Sequence, residues 1–129
     1  MKIIAIKSVS SEEFIDITEQ VKAAVSELKV SEGLCCIYTP HTTAALTINE
    51  NADPSVKQDI LTGLRSLNIE NLNYLHGEGN SAAHIKSSLV GVSEMVIVED
   101  GRLQLGTWQG IYFCEFDGPR NRKVYLSVS

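Results

Sequence analysis

One stretch constrains the fold of this chain more than any other. From Thr42 to Glu50 the residues alternate: Ala44, Leu46 and Ile48 share one parity, and Thr43, Ala45, Thr47 and Asn49 share the other. Successive side chains of a strand point to opposite faces, so this pattern predicts a strand with one side on a core. Pro40 interrupts the chain just before it. Just after it, Asp53-Pro54 predicts a helix start, with Asp as cap and Pro at the first helical position, where its missing N–H costs nothing. The polar run Asn49-Glu50-Asn51-Ala52-Asp53 therefore sits at a strand-to-helix junction.

The same reading extends along the chain. Alternation over residues 3–8 predicts a first strand, and Phe14-Ile15-Asp16-Ile17 a second. Thr18 is the expected cap of a helix whose Glu19 favours the positive end of the dipole. Val21, Ala24, Val25 and Leu28 form its inner face. Residues 34–38 form an apolar strand, in which Cys35 and Cys36 are expected to be inert core thiols. In the helix opened by Asp53, Val56, Ile60, Leu64 and Leu67 make a buried stripe. Gly63 inside that helix costs about 1 kcal/mol against Ala, which points to close packing there. Residues 68–80 read as a loop and 81–90 as a helix with Ile85 and Leu89 inward, stopped by Gly91. Strands follow at 95–98, at 103–116 with breaks at its glycines, and at 124–128. Strands and helices do not alternate regularly, which argues against a parallel doubly wound sheet. The expected class is α+β: a mostly antiparallel β-sheet packed with two or three helices.

The 129 residues suit a single domain spanning 1–129. The net charge of -5 argues against a nucleic-acid binder, which normally shows a basic excess. No window approaches 18 apolar residues, so no membrane span is expected, and the alternating N-terminus is unlike a signal peptide. Cys35, Cys36 and Cys114 are odd in number, and two are adjacent. Reduced thiols in a cytoplasm are the simplest expectation.

Several groups carry chemistry. His41 follows Pro40 at the mouth of the alternating strand, His76 lies in a glycine-rich loop, and His84 falls in the first turn of a helix. Neutral imidazoles ligate zinc and related ions, and three make a facial set with an open position. The spacing matches no short metal motif such as HExxH, and the alternative is one or two surface histidines beside one held by hydrogen bonds. Glu50 or Asp53 can position a cation or serve as a general base; equally, Asp53 only caps its helix. Gly79, Asn80 and Ser81 lead into a helix N-terminus whose N–H groups can cradle phosphate; the alternative is a plain turn with an Asn or Ser cap. Trp108 lies between Gly106 and Gly110, which suggests a bulge, a close approach by a ligand or subunit, or a core filler. Glu115, Asp117 and Arg120 suit an ion-pair network at a turn, and Arg120 can also grip phosphate as a fork of donors. There is no GxSxG elbow and no Walker loop.

Four of these stretches together resemble a known family. Residues 40–54, residues 76–80 with His84, residues 103–111 and residues 115–120 are similar, in order and over nearly the whole chain, to the signatures of the YjbQ-like family. The resemblance implies a compact α+β homotrimer and the label of a secondary thiamine-phosphate synthase. That reaction joins a pyrimidine methyl pyrophosphate to a thiazole phosphate and releases pyrophosphate. The family's signature histidines fall on His41, His76 and His84, which implies a shared pocket and a divalent metal, zinc-like or magnesium. In this reading the catalytic candidates are His41, Glu50, Asp53, Trp108 and Glu115. Trp108 would stack on a ring, and Gly79, Asn80, Ser81 and Arg120 would hold a phosphorylated ligand. Metal-assisted hydrolysis, a trimeric metal- or phosphometabolite-binding protein without catalysis, and motifs serving only the trimer interface are the competing readings.

Overall fold

Every strand pairing in this chain is antiparallel, and the fold class is α+β. The computed structural model describes residues 1–129. In order they form β1 (Lys2–Lys7), β2 (Glu13–Asp16), α1 (Thr18–Leu28), β3 (Gly33–Tyr38), β4 (Ala44–Glu50), α2 (Pro54–Arg65), α3 (Ser81–Val90), β5 (Ser93–Glu99), β6 (Arg102–Leu103), β7 (Gln109–Glu115) and β8 (Asn121–Val128). The strands divide into a five-stranded sheet, β1-β8-β3-β5-β6, and a three-stranded sheet, β2-β7-β4.

The alternating strand explains the layering. β4 pairs with β7 from Ala44 opposite Glu115 to Glu50 opposite Gln109. Its two parities are both covered. Ala44 and Leu46 enter a core between the two sheets, with Ile37, Val98, Ile111, Phe113, Val124 and Leu126. α1 closes the side of that core with Val21, Ala24 and Val25. Ala45 faces the other way, into a second cluster with Phe14, Tyr112, Cys114, Phe116 and Ala83 of α3. Ile60, Leu61 and Leu64 of α2 pack on this cluster. The three-stranded sheet is therefore the middle layer, with the larger sheet on one face and α2 and α3 on the other. No helix is long and apolar enough to cross a membrane.

Several local expectations are corrected. Thr18 does not cap α1: it is the first helical residue, its hydroxyl donates to Asp16 Oδ1, and it accepts from the Ile111 N–H at 2.9 Å. A buried strand N–H competed successfully for that oxygen. The expected strand 103–116 is two strands on different sheets, separated by a turn through Trp108. Cys36 is exposed on the outer face of β3, whereas Cys35 is in the core. No residue of α2 is fully buried, because the helix lies at the molecular surface. In α3 the inward residues are Ala82, Ala83, Lys86 and Ser87, while Leu89 points to solvent.

Gly63 is not packed closely either: a Cβ placed there meets nothing within 4 Å. Gly63→Ala should therefore stabilise the protein by about 0.5–1 kcal/mol, raising Tm by about 2–4 °C in calorimetry. Gly110→Ala should lower it, because a Cβ there collides with the Asn51 side chain.

Candidate functional site

The site is organised by a buried charge. Glu115, the last residue of β7, is fully buried, and a carboxylate there needs partners. It has four. Arg122 of β8 donates Nε to Oε1 at 2.9 Å and a terminal N–H to Oε2 at 2.5 Å. The Ser8 hydroxyl donates to Oε1 at 2.6 Å, and the Asp117 N–H to Oε2 at 3.1 Å. Burial raises the Glu115 pKa, but these hydrogen bonds and the guanidinium charge outweigh it, and the carboxyl is held below its ordinary value. All four lone-pair positions are taken, so Glu115 is a fixed anion rather than a group free to exchange a proton. The expected network with Arg120 is thereby corrected: Glu115 pairs with Arg122, and Arg120 pairs with Asp117 at 2.8 Å.

Arg122 also donates to the Thr43 hydroxyl at 2.9 Å. This grip fixes the connection between β3 and β4, which carries His41. The His41 Nε2 accepts the Lys123 backbone N–H at 3.0 Å. Burial lowers the His41 pKa, and the positive charge of Arg122 lowers it further, so the ring is biased to its neutral form.

His76 and His84 meet edge to face, with centroids 5.3 Å apart. α3 supplies His84, and the loop before α3 supplies His76. With His41 they surround a cleft of about 390 Å3, whose walls include Asn80, Asp117, Arg120 and Arg122 and, apart from Pro40, only polar side chains. A second hollow, about 590 Å3, continues from it past His41 and His84 to Tyr38 and Val92. Asn80 donates to Asp117 Oδ2 at 2.8 Å; its own Oδ1 is buried and unpartnered. The side chain of Asn80 does not cap α3, so the expectation of an Asn or Ser cap is corrected. Gly79 has a positive φ of 74°, which turns the chain into Ser81, the first helical residue. Behind this turn Lys86 is buried and held by Glu12 at 2.8 Å and Glu70 at 2.6 Å, which ties the His76 loop to α3.

Three of the candidate residues lie elsewhere. Glu50, Asp53 and Trp108 occupy the opposite end of β4, roughly 20 Å away by the rise of the strand. Asp53 caps α2, accepting from the Ser55 N–H at 2.9 Å and the Ser55 hydroxyl at 2.7 Å. Those bonds hold its pKa below the ordinary value. Trp108 is 64% exposed in a turn, and its carbonyl accepts the Asn51 N–H. It is neither a core filler nor a neighbour of the histidines within one chain. Arg122, Thr43 and the Lys123 N–H were missed from the sequence. One signal was available: Arg122 has the parity of the buried Val124 and Leu126.

Among His, Cys, Asp and Glu side chains, no group of three or more converges to hold a metal ion within the chain. All three cysteines are unpaired, and burial pushes the Cys35 thiol up to about 11.

The fold and cleft together define a small α+β protein with a polar site assembled from three separate segments. The chain belongs to the UPF0047 YjbQ-like family, whose model matches residues 2–129. It is 58% identical over 123 residues to a UPF0047 protein of Methanocaldococcus jannaschii, covering 95% of this chain and 89% of that one. It is 54% identical to YugU of Bacillus subtilis, covering 99% and 98%. An uncharacterized YjbQ/UPF0047 protein of Clostridium acetobutylicum superposes with a TM-score of 0.96 at 53% identity over the whole of both chains.

The buried pair makes a pH-dependent prediction. Because the folded pKa of Glu115 lies below its unfolded value, its stabilisation is full above about pH 4.5 and fades as pH falls through the folded pKa. Glu115→Gln leaves Arg122 uncompensated and should cost about 3–5 kcal/mol near neutrality. The gap in Tm between wild type and variant should shrink in acid; a gap independent of pH rejects this role.

Proposed function

We propose that the histidine cleft is the active site of a small enzyme acting on a compact oxyanion-bearing metabolite, with the secondary thiamine-phosphate synthase activity that the family resemblance implies. One observation carries this reading. His41, His76 and His84, from two separate stretches of the chain, line one cleft whose walls hold two arginines and, apart from Pro40, only polar side chains. A volume near 390 Å3 suits a small molecule. Arg120 is half exposed, so it can exchange Asp117 for a ligand oxygen. His84, one turn into α3, stands near a positive helix end. If a divalent ion binds, zinc-like or magnesium, His76 and His84 are its nearest imidazoles, and it would stabilise a leaving oxyanion. The unpaired thiols favour a reducing compartment.

The competing reading is a binding module without turnover. Incubation with the pyrimidine methyl pyrophosphate and the thiazole phosphate separates them, alongside calorimetric binding of inorganic pyrophosphate. The enzyme should form thiamine phosphate, and His76→Ala and His84→Ala should each slow it at least tenfold while pyrophosphate binding weakens less. Binding without turnover supports the module. Neither binding nor turnover in the wild type rejects both.

We further propose that copies associate as a homotrimer through the outer face of the five-stranded sheet. Ile3, Leu34, Tyr38, Met95 and Ile97 stand there between 42% and 63% exposed. They leave on the order of 500 Å2 of apolar surface uncovered, a large part of the ~800 Å2 a subunit usually buries. Lys7 and Lys123 border the patch on the β1–β8 side and Glu99 on the β5 side, which favours head-to-tail contact. The double variant Met95→Lys, Ile97→Lys should sediment at the 14.1 kDa of one chain, against threefold that mass for the wild type. A wild type that sediments as a monomer rejects the proposal.

A further inference from the structure

We propose that His41 is a fixed neutral hydrogen-bond donor, presenting Nδ1–H to an oxyanion or carbonyl oxygen in the cleft, and stands outside any metal ligand set. This rests on reading the cleft as the functional site, and it departs from the three-histidine metal centre that the family resemblance implies.

The Lys123 backbone N–H donates to His41 Nε2 at 3.0 Å. A ring nitrogen that accepts a hydrogen bond carries no proton, and a neutral imidazole carries one, so the proton sits on Nδ1. Both sides of the contact are anchored. Lys123 lies in β8, paired opposite Ala5 of β1, so its N–H cannot turn away without disturbing the sheet. Thr43, two residues beyond His41, is gripped by Arg122, which Glu115 holds in turn. Nδ1 has no partner in the chain. Asn80 Oδ1 is the one side-chain polar atom both buried and unpartnered, so Nδ1 is open to solvent, on a ring that lines the cleft.

A metal would upset this arrangement from either nitrogen. Coordination through Nε2 displaces the Lys123 N–H and leaves that donor without an acceptor. Coordination through Nδ1 requires the proton on Nε2, where it would face the Lys123 N–H, donor against donor. His76 and His84 carry no such restriction: neither ring is hydrogen-bonded within the chain and they lie beside each other. An ion can use those two, while His41 supplies a directed donor from the other wall. Such a donor suits an oxygen on which negative charge sits or develops, because a neutral imidazole stabilises it without transferring a proton.

Long-range proton–nitrogen correlation spectra of 15N-histidine-labelled protein, assigned with His41→Asn, test this without any substrate. The expected result is a protonated Nδ1 and a bare Nε2 on His41, with signals unmoved by Zn2+ alone, whatever His76 and His84 do. An Nε2–H tautomer, or His41 signals that move with Zn2+ as a ligand's would, overturns the proposal. Inorganic pyrophosphate supplies a second readout. His41→Asn, whose amide N–H overlies Nδ1, should keep affinity within about threefold; His41→Gln and His41→Ala should lose at least tenfold. Equal losses in all three variants overturn the donor role. A wild type that binds no pyrophosphate would instead count against the proposed function, and the tautomer would still be decided by the spectra.

Discussion

The rest of the site depends on one buried ion pair. Glu115 and Arg122 stand at the ends of consecutive strands that belong to different sheets, and their contact joins the two sheets at one end of those strands. Ser8 enters the same knot, donating to Glu115 and accepting the Arg120 N–H at 2.8 Å. Thr43 enters it through Arg122. A buried pair is a poor source of net stability, since a hydrophobic replacement often does as well. Its value here is directional. Three stretches of the chain, at Ser8, at Thr43 and at residues 115–122, converge on two side chains whose hydrogen bonds have fixed angles, and a greasy contact would not set the register between them. His41 and Asn80 occupy the ground those segments enclose.

The pair also sets the electrostatics of the cleft. Both arginines that line it already face carboxylates, Arg122 with Glu115 and Arg120 with Asp117. Their charges are locally balanced, and Glu78 adds an uncompensated negative group nearby. Even so, Arg122, Lys123 and Arg120 act on His41 as positive charge and oppose its protonation. A strongly charged ligand must displace Asp117 from Arg120 or bring a counter-ion of its own. The two arginines differ in which option is open. Arg122 is immobilised by a bidentate buried bond, while Arg120 is half exposed and held at a turn. For the oxyanion ligand proposed above, recognition would therefore fall to Arg120 and to directed neutral donors, with Arg122 as the frame.

How much of this could be read from the sequence follows the range of the forces involved. The strand at 44–50, the Asp53 cap and the helix 81–90 were legible because each is set by residues within one or two turns of the chain. The sites of failure were those where a distant group intervened. Thr18 carries a good capping hydroxyl, yet the Ile111 N–H, 93 positions away, takes it. Gly63 reads as a packed glycine because the helix pattern says nothing about whether a neighbour is present. Leu89 has the spacing of an inward residue, but the sheet beneath α3 has room only for Ala82, Ala83 and Ser87, with Lys86 reaching back to Glu12. Each histidine stands out in the sequence by its own surroundings, but only the resemblance implies a shared pocket; nothing in their spacing shows that residues 41, 76 and 84 share a wall.

The separation of Glu50, Asp53 and Trp108 from the histidines bears on what a second copy would do. Within one chain these groups and the cleft lie at opposite ends of the middle sheet, so they cannot act on one small molecule. Tyr38, however, belongs both to the exposed apolar face of the outer sheet and to the wall of the hollow beside His41 and His84. Any copy that covers that face also walls the hollow. Closing it would remove water from one side of His41, and a hydrogen bond from its ring to an oxyanion would strengthen as the local dielectric fell. Self-association and the chemistry of His41 would then be coupled through Tyr38, without any residue of the far end having to reach the cleft of its own chain.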